Sequence, residues 1–331
     1  MGKLTQEILH SQRRIPMPLV SLPGAKLIHC AACDLFQDAE HQSQAQLAVR
    51  DALNTTVLMT AMDLSVEAEA FGACVRREGD EVPTITGRLV SSLDEICNLR
   101  VPAIGSGRTG IYLEAARKLS AAAGSNIVLG CMIGPFSLAG RLFGVSETLE
   151  TTALEPEWIS VLLEKTTSFL TDYARAFKEA GANGIIIAEP TAGLLSPRSL
   201  ETFSSDFVRR IIDAVQDEGF DVILHNCAAT LPHLAGILKA GAAMYHFGKP
   251  MDIVEALARV LDRDIILAGN LDPSGIFRSG TPAEVRDATR ELMQRTSTLK
   301  NFVPSSGCDL PADVPLENIR AFMDAVEERT A

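Results

Sequence analysis

The residues His225, Cys227 and Cys308 carry side chains that bind soft metal ions. In the segment DVILHNCAAT (221–230), an apolar run ends at His225, and Cys227 follows two positions later. Residues i and i+2 of a strand point to the same side, so these two side chains are expected to converge. Cys308 follows a second apolar run, in a Gly-Cys turn. One imidazole and two thiolates favour zinc, and three protein ligands leave a fourth position for a substrate.

Cysteine usage leaves further interpretations open. The chain has seven cysteines with no regular spacing, at positions 30, 33, 74, 97, 131, 227 and 308. An odd, scattered set is typical of a reducing compartment. Cys30 and Cys33 have the spacing of a redox pair or a zinc knuckle, although no second pair lies nearby. His-x-Cys is itself a weak motif, since cysteine is also a common core residue.

Eight short apolar runs alternate with amphipathic stretches of helical length. Near-continuous apolar strands between helices indicate a parallel sheet covered on its outer face. We therefore predict an α/β fold, a (β/α)8 TIM barrel, with a doubly wound open sheet as the alternative. In a barrel, active sites lie at the carboxyl ends of the strands, where His225, Cys227 and Cys308 fall. The runs are MPLVSL (17–22), TTVLMT (55–60), NIVLGCMI (126–133), GIIIAE (184–189), DVILH (221–225), AAMYHF (242–247), DIILAG (264–269) and NFVPS (301–305).

The chain is predicted to form a single domain over residues 1–331, with an insertion at 72–115 after the second strand. VPTITGRLVSS (82–92) in this insertion has the pattern of a hairpin. GSGRTG (105–110) matches the dinucleotide-binding glycine spacing, but no convincing strand precedes it. A turn before a helix explains that segment equally well. Long helices are predicted over 157–181 and 197–219, each ending at a glycine.

Composition and charge exclude several classes of partner. The chain has 331 residues, a formal net charge of −12 and 47% hydrophobic residues. The acidic balance argues against nucleic acid or an anionic membrane as a partner. No apolar stretch approaches the roughly 18 residues of a membrane span. The first sixteen residues lack a signal-peptide pattern, so we predict a cytoplasmic protein.

Five blocks of the chain resemble the uroporphyrinogen decarboxylase superfamily, and specifically its corrinoid-dependent methyltransferase branch. The resemblance covers nearly the whole sequence, and the last block matches the branch in which a Gly-Cys turn supplies a zinc ligand. The blocks are MDLSVEAEAFG (62–72), AEPTAGLLSPRSLETF (188–203), LHNC (224–227), AGNLDPSGIF (268–277) and SSGCDLPADVPLENIRAFMDAV (305–326).

The resemblance implies a zinc-dependent methyltransferase that moves a methyl group from a methylated corrinoid to a thiol such as coenzyme M. The zinc pattern of the branch maps onto His225, Cys227 and Cys308, and the acceptor would react as a zinc-bound thiolate. This chain has no segment resembling a corrinoid-binding module, so a separate corrinoid protein is expected as the partner. Tetrahydrofolate remains an alternative acceptor.

Two further classes of protein compete with this interpretation, the parent decarboxylases and a non-catalytic metal- or corrinoid-binding protein. The decarboxylases grip their substrate with an arginine-bearing segment after the first strand, and the corresponding VSLPGAK (20–26) lacks those arginines. Their essential aspartate matches Asp63, which the resemblance implies is retained for another catalytic or orienting purpose.

Four further residues are predicted at the mouth of the barrel. Glu189 is a candidate catalytic carboxylate, or a turn residue before Pro190. Tyr245 and His246 end the sixth apolar run and are predicted to contact substrate, although a structural histidine is the competing interpretation. Asn270 follows the seventh run, where a turn-forming role competes with substrate binding.

Overall fold

A curved parallel sheet with helices on its outer face forms the body of the protein. The computed structural model describes residues 2–77, 81–261 and 265–328. Within these ranges seven parallel strands follow the order β1-β4-β5-β6-β7-β8-β9, and β2 and β3 form a separate antiparallel pair. This arrangement confirms the predicted α/β barrel class. The strands are β1 Val57–Met59, β2 Cys74–Arg76, β3 Thr84–Thr86, β4 Ile127–Ile133, β5 Gly184–Ala188, β6 Asp221–Asn226, β7 Met244–Phe247, β8 Ile266–Leu271 and β9 Phe302–Ser306.

Alternation along the strands separates two apolar cores. Ile223 on β6 and Met244 on β7 belong to the cluster inside the barrel. Their neighbours Leu224 and Tyr245 pack in the larger cluster, between the sheet and the helices. Because successive side chains of a strand face opposite ways, His225 and His246 continue the inner rows.

The first predicted strand, residues 17–22, runs beside β9 without forming a regular ladder in the described structure. The backbone N–H of Met17 donates to the carbonyl of Pro304 at 3.0 Å. On its other side, the Gln46 amide bridges to β1: its Nε2 donates to the Val20 carbonyl at 2.7 Å, and its Oε1 accepts from the Met59 N–H at 3.1 Å. Hydrogen bonds of the Gln46 side chain therefore connect residues 17–22 to β1, where a barrel with an eighth strand would have a strand ladder.

The helices cover the outside of the sheet. The predicted helix over 157–181 is confirmed as Pro156–Glu179, with proline at its first position. The predicted helix over 197–219 is instead divided into Pro197–Leu200, a π-helical turn at Glu201–Ser205, and Asp206–Val215. The remaining α-helices are Lys3–His10, Gly24–Leu27, Ala32–Leu35, Ala39–Leu53, Val66–Ala70, Leu93–Asn98, Thr109–Ala122, Pro135–Phe143, Val145–Leu154, Leu234–Leu238, Ile253–Ala258, Pro282–Arg295 and Leu316–Glu327, with 3-10 turns at Thr191–Leu194 and Leu231–His233 and a π-helical turn at Pro273–Arg278.

The segment predicted as an insertion contains a hairpin and two helices. The hairpin pairs β2 with β3, so it begins earlier than the predicted 82–92. The GSGRTG segment forms the turn before helix Thr109–Ala122, with Gly105 at φ 96° and Gly107 at φ 55°. Gly105 and Gly107 therefore occupy backbone positions with positive φ, which glycine adopts readily. Asp264, the first residue of the predicted run 264–269, lies outside the described residues.

The N-terminal helix Lys3–His10 packs under the amino-terminal end of the sheet. The Asp221 carboxylate accepts from the Gly2 N–H at 2.9 Å and from the Thr5 hydroxyl at 2.8 Å. Asp221 is the first residue of β6, so this helix lies at the end of the sheet opposite to His225 and Cys227. In the described part of the chain, no helix has the length and apolarity needed to cross a bilayer.

Candidate metal centre and barrel mouth

Two strand ends bring the three predicted metal ligands to one place. His225 lies on β6, directly opposite His246 on β7 in the strand register. Cys227 is the residue just after β6, and Cys308 lies two residues beyond β9. A side chain at Gly248 would collide with the backbone, because an added Cβ would lie 2.2 Å from the Cys227 carbonyl oxygen. The glycine therefore allows the β6 and β7 ends to approach closely enough to fix Cys227.

The candidate ligand atoms form a compact cluster. One nitrogen of His225 and the sulfurs of Cys227 and Cys308 all lie within 4.8 Å of one another, the spacing expected of atoms that share an ion. The His225 Nε2 and the Cys308 sulfur are 3.6 Å apart. His225 is buried, whereas both cysteines are half-buried and unbonded to another cysteine. The structure therefore brings together the three residues that sequence spacing predicted as ligands.

A buried hydrogen-bond chain assigns the tautomer of His225. Ser305 must donate its only hydroxyl proton to the Met17 carbonyl, at 2.5 Å, so it accepts from the His246 Nε2–H, at 2.8 Å. Burial lowers the pKa of His246 well below its usual value, so this ring is neutral and its Nδ1 is an acceptor. The His225 Nδ1, 2.8 Å away, must then be the donor. The Nε2 of His225 is consequently unprotonated, and its lone pair faces the sulfurs of Cys227 and Cys308.

The two thiols share one hydrogen bond. This bond from the Cys308 thiol lowers the pKa of Cys227, against the opposing effect of burial. The same bond, together with burial, raises the pKa of Cys308. The sulfur of Cys227 therefore loses its proton much more readily than that of Cys308, and both sulfurs lie close to His225.

Asp309 adds a half-buried carboxyl group beside the cluster. Burial raises its pKa to about 7, although it accepts hydrogen bonds from the backbone N–H of Ser21, at 2.8 Å, and from the Ser21 hydroxyl. These bonds tie the turn that carries Cys308 to the first chain segment of the barrel. Asp309 was not among the predicted site residues, although its position directly after Cys308 was a usable signal.

Asp63 is buried in an ion-pair network away from solvent. Its Oδ2 pairs with Arg108, and its Oδ1 accepts from the Ser65 hydroxyl at 2.6 Å. Arg108 also contacts Glu69 at 2.5 Å, and Glu69 pairs with Arg77. The two oxygens of Asp63 are therefore already occupied by protein groups.

Glu189 caps a helix from inside the protein. Its Oε1 accepts from the Phe136 N–H and its Oε2 from the Ser137 N–H, both at 2.9 Å, at the start of helix Pro135–Phe143. Burial nevertheless raises the pKa of Glu189 to about 7. The carboxylate lies at the carboxyl end of β5, as predicted, and holds the neighbouring helix in place.

The three predicted substrate contacts have different positions. His246 is fully buried behind His225, so it contacts the candidate metal ligand His225 and is shielded from solvent. Asn270 binds the loop after β7, donating to the carbonyls of Gly248 and Met251 at 3.0 and 2.7 Å. Tyr245 faces the outer layer, where its hydroxyl donates to the Leu238 carbonyl at 2.8 Å. Adjacent strand residues point to opposite faces, so Tyr245 cannot share the inner face with His246.

A cavity opens next to Cys308 at the mouth. Its volume is about 430 Å³, within the range of small-molecule sites. The hairpin β2–β3 forms one wall and the apolar side chains of Met62 and Leu64 form another, while Arg141 and Asp309 are polar lining residues. A small molecule in this cavity would therefore touch a candidate metal ligand directly. Arg141 was not predicted from sequence, because it lies one helix beyond any recognisable motif.

Comparison with known proteins defines the class. Residues 21–329 match the family model described as Uroporphyrinogen decarboxylase (URO-D), so the chain belongs to that family. It is 28% identical to a methylcobamide:CoM methyltransferase, MtbA, of Methanosarcina acetivorans, over 88% of this chain and 85% of that protein. It is 25% identical to a methylated-thiol–coenzyme M methyltransferase of Methanosarcina mazei, over 80% and 71% of the two chains. These relatives confirm the resemblance to the methyltransferase branch and the predicted enzyme class, a methyltransferase.

Solved structures support the fold. A methyltransferase from Methanosarcina mazei superimposes with a TM-score of 0.88 at 22% identity, covering 98% of this chain and 97% of that one. A B12-independent methionine synthase from Shewanella sp. W3-18-1 gives a TM-score of 0.58 at 12% identity, covering 96% and 94%. Both comparisons confirm the barrel architecture.

Proposed function

We propose that this enzyme transfers a methyl group from a methylated corrinoid, carried by a separate protein, to a small thiol acceptor. In this proposal His225, Cys227 and Cys308 hold a zinc ion. The observation that carries the proposal is the meeting of these three ligand atoms within 4.8 Å at the barrel mouth. The activities for which the Methanosarcina relatives are named, methylcobamide:CoM and methylated-thiol–coenzyme M methyl transfer, support the same reaction class.

The chemistry of the donor set fits zinc. Two sulfurs and one imidazole nitrogen form a soft set, and a catalytic zinc site has three protein ligands and an open fourth position. The unprotonated Nε2 of His225 meets the requirement for a neutral imidazole ligand. Zinc supplies Lewis acidity that lowers the pKa of a bound thiol, so that the acceptor reacts as its thiolate.

The protein residues orient and protect the reactants. The acceptor sulfur forms a bond to the methyl carbon while the cobalt–carbon bond breaks and its electron pair remains on cobalt, which passes from Co(III) to Co(I). The thiol proton leaves to solvent before transfer. His246 and Ser305 hold His225 in its tautomer, and the cavity beside Cys308 would align the acceptor.

The remaining predicted residues receive positioning roles in this proposal. Asp63 and Glu189, predicted as catalytic, contact protein donors in the described structure and would hold the mouth loops in place. Asn270 would fix the loop after β7 in the same way. The buried position of Asp63 also disfavours a decarboxylase, whose substrate would need that carboxylate and the arginines that residues 20–26 lack.

The test is methyl transfer from methylcobalamin to a panel of thiols, with zinc content measured on the same samples. We expect about one zinc per chain and methylation of at least one thiol, but no methylation of tetrahydrofolate and no release of CO2 from uroporphyrinogen III. His225→Ala and Cys227→Ala should lose both zinc and turnover. Cys97→Ser, a change at an exposed cysteine, is the matched control and should retain both. Full turnover by the Cys227 variant would refute the zinc role.

A further inference from the structure

Arg141 is a cation at the mouth with no anionic partner in the described structure. It lies near the end of helix Pro135–Phe143 and lines the same cavity as Cys308. The side chain is half-buried, yet no described carboxylate lies within 4.0 Å of its guanidinium. Its neighbours differ: Arg108 is paired with Asp63 and Glu69, and Arg88 is paired with Glu147.

Burial makes the missing partner costly. Burial lowers the pKa of Arg141, which shows that its surroundings disfavour the charged form. A guanidinium nevertheless stays protonated in proteins, so the cation must bear this cost. The nearby carboxylates offset this cost only in part: the charge of Asp63 raises the pKa of Arg141, against the larger effect of burial, but Asp63 itself is bonded to Arg108 and Ser65, and Asp309 is bonded to Ser21. An anionic ligand would therefore complete this part of the cavity.

The cavity links this cation to the candidate metal centre. Cys308 and Asp309 lie on its lining together with Arg141, and most of the remaining lining residues are apolar, among them Leu22 and Met62. A volume of about 430 Å³ limits the occupant to a small molecule. A ligand with its sulfur beside Cys308 and an anionic group at its other end matches this distribution of polar and apolar lining.

We propose that Arg141 binds the anionic end of the acceptor, so that it selects short thiols that carry a sulfonate or carboxylate over neutral thiols. The inference rests on the proposed methyl transfer and adds the residue that recognises the far end of the acceptor. A guanidinium presents paired N–H donors that match two oxygens of such an anion. The phosphate of an incoming corrinoid is the other possible anion, and the experiment separates the two.

The test compares 2-mercaptoethanesulfonate with 2-mercaptoethanol as acceptors, with methylcobalamin as donor. The measured quantity is the ratio of kcat/KM for the anionic thiol to that for the neutral thiol. Loss of a charge-assisted bidentate contact predicts that Arg141→Gln lowers this ratio about 10- to 100-fold. Arg141→Lys should retain part of the selectivity. Arg88→Gln removes an exposed arginine next to the same helix and should leave the ratio unchanged.

A second measurement needs neither turnover nor metal. Ethanesulfonate lacks a thiol, so its binding to metal-free protein, followed by ligand-observed NMR, reports the anion contact alone. Binding by the wild type and Arg88→Gln, and its loss in Arg141→Gln, would support the proposal. Should Arg141→Gln not fold, the ethanesulfonate measurement is made with Arg141→Lys, in which loss of the paired donors should weaken binding relative to the wild type; equal binding by the two proteins would overturn the assignment.

Three results would overturn the assignment. The first is an unchanged specificity ratio in Arg141→Gln, and the second is absence of ethanesulfonate binding by the wild type. The third is a raised KM for methylcobalamin with an unchanged thiol ratio, which would assign Arg141 to the corrinoid. Wild-type protein that methylates no thiol but binds ethanesulfonate through Arg141 would refute the proposed function while leaving the anion site standing.

Discussion

The Nδ1 atoms of His225 and His246 lie 2.8 Å apart, and the proton between them belongs to His225. This assignment follows from the other end of the hydrogen-bond chain, where Ser305 donates its proton to the Met17 carbonyl. A histidine that binds zinc through Nε2 needs its proton on Nδ1 and a partner there. The partner is usually a carboxylate or carbonyl, and here it is a neutral imidazole held by a serine.

We expect Ser305→Ala to weaken zinc binding about 10- to 100-fold, the usual effect of losing an outer partner of a metal ligand. Without the hydroxyl, the His246 Nε2–H has no acceptor, so the ring favours the other tautomer. It would then donate to His225 Nδ1 and place that residue's proton on the metal-binding nitrogen. Competition with a chromophoric zinc chelator measures the affinity.

Ser306→Ala is the matched control for that experiment. Ser306 is also buried on β9, and its hydroxyl accepts from the Leu19 N–H at 2.9 Å. The control should reproduce any loss of packing between β9 and residues 17–22 without touching the histidines. Equal zinc affinities for the two variants would contradict the tautomer assignment.

The pair of Asp63 and Arg108 should act as a structural unit. Arg108→Met would leave a buried carboxylate without its countercharge, and losses of about 3–5 kcal/mol in the free energy of unfolding are typical of such changes. Adding Asp63→Asn should recover part of that loss, because the uncompensated charge disappears. Urea unfolding of the two single variants and the double variant measures the coupling.

Arg117→Met provides the comparison at an exposed ion pair with Glu114, where the expected change is below about 1 kcal/mol.

If the free energy lost by the double variant of Asp63 and Arg108 equals the sum of the losses in the two single variants, these two side chains act independently. If the folded double variant kept its zinc but lost all methyl transfer, Asp63 would have a direct catalytic role.

Glu67 predicts a pH-dependent stability. Burial raises its pKa to about 8; its Oε1 accepts from the Ile133 N–H at 3.0 Å, and its Oε2 has no partner among the described atoms. The folded protein therefore holds this proton more tightly than the unfolded chain does. Its contribution to stability is complete below the unfolded pKa of 4.5, falls as the pH rises, and is lost above about 8.

Glu67→Gln should remove that dependence, since the amide keeps the acceptor and cannot ionise. Between pH 5 and 8 the variant should gain on the wild type by at most about 1.4 kcal/mol per pH unit. Thermal unfolding at a series of pH values measures the difference. Glu218→Gln, at an exposed glutamate, should follow the wild type; parallel curves for all three proteins would refute the assignment to Glu67.

The sequence was sufficient to predict the barrel class and the meeting of the three candidate ligands, because both depend on local signals. Apolar runs mark the strands, and the carboxyl ends of parallel strands meet at one edge, so His225, Cys227 and Cys308 could be placed together. Tyr245 was assigned to the mouth along with His246, although the alternation of β7 directs only one of them inward.

Other features depend on contacts between distant parts of the chain. Ser305 matters because β9 lies beside Met17, a residue 288 positions away, and no spacing pattern records that neighbour. The lack of an ion-pair partner for Arg141 likewise depends on distant contacts. Asp63 and Asp309 both lie near the mouth, but Asp63 is bonded to Arg108 and Asp309 to Ser21. Such properties emerge only when every hydrogen-bond donor and acceptor is accounted for.

The irregular segment at 17–22 has a consequence for the zinc binding proposed above. Met17 accepts the hydrogen bond of Ser305, the serine behind His225, and Ser21 donates to Asp309, the residue after Cys308. Both sides of the candidate ligand set therefore contact one short stretch. Side-chain hydrogen bonds, and not a strand ladder, connect that stretch to β1. If the three residues hold zinc as proposed, ion binding and docking of this stretch are linked, and each makes the other more favourable by the same free energy. Apoprotein should accordingly show its fastest amide exchange at this seam, and loading with zinc should slow it.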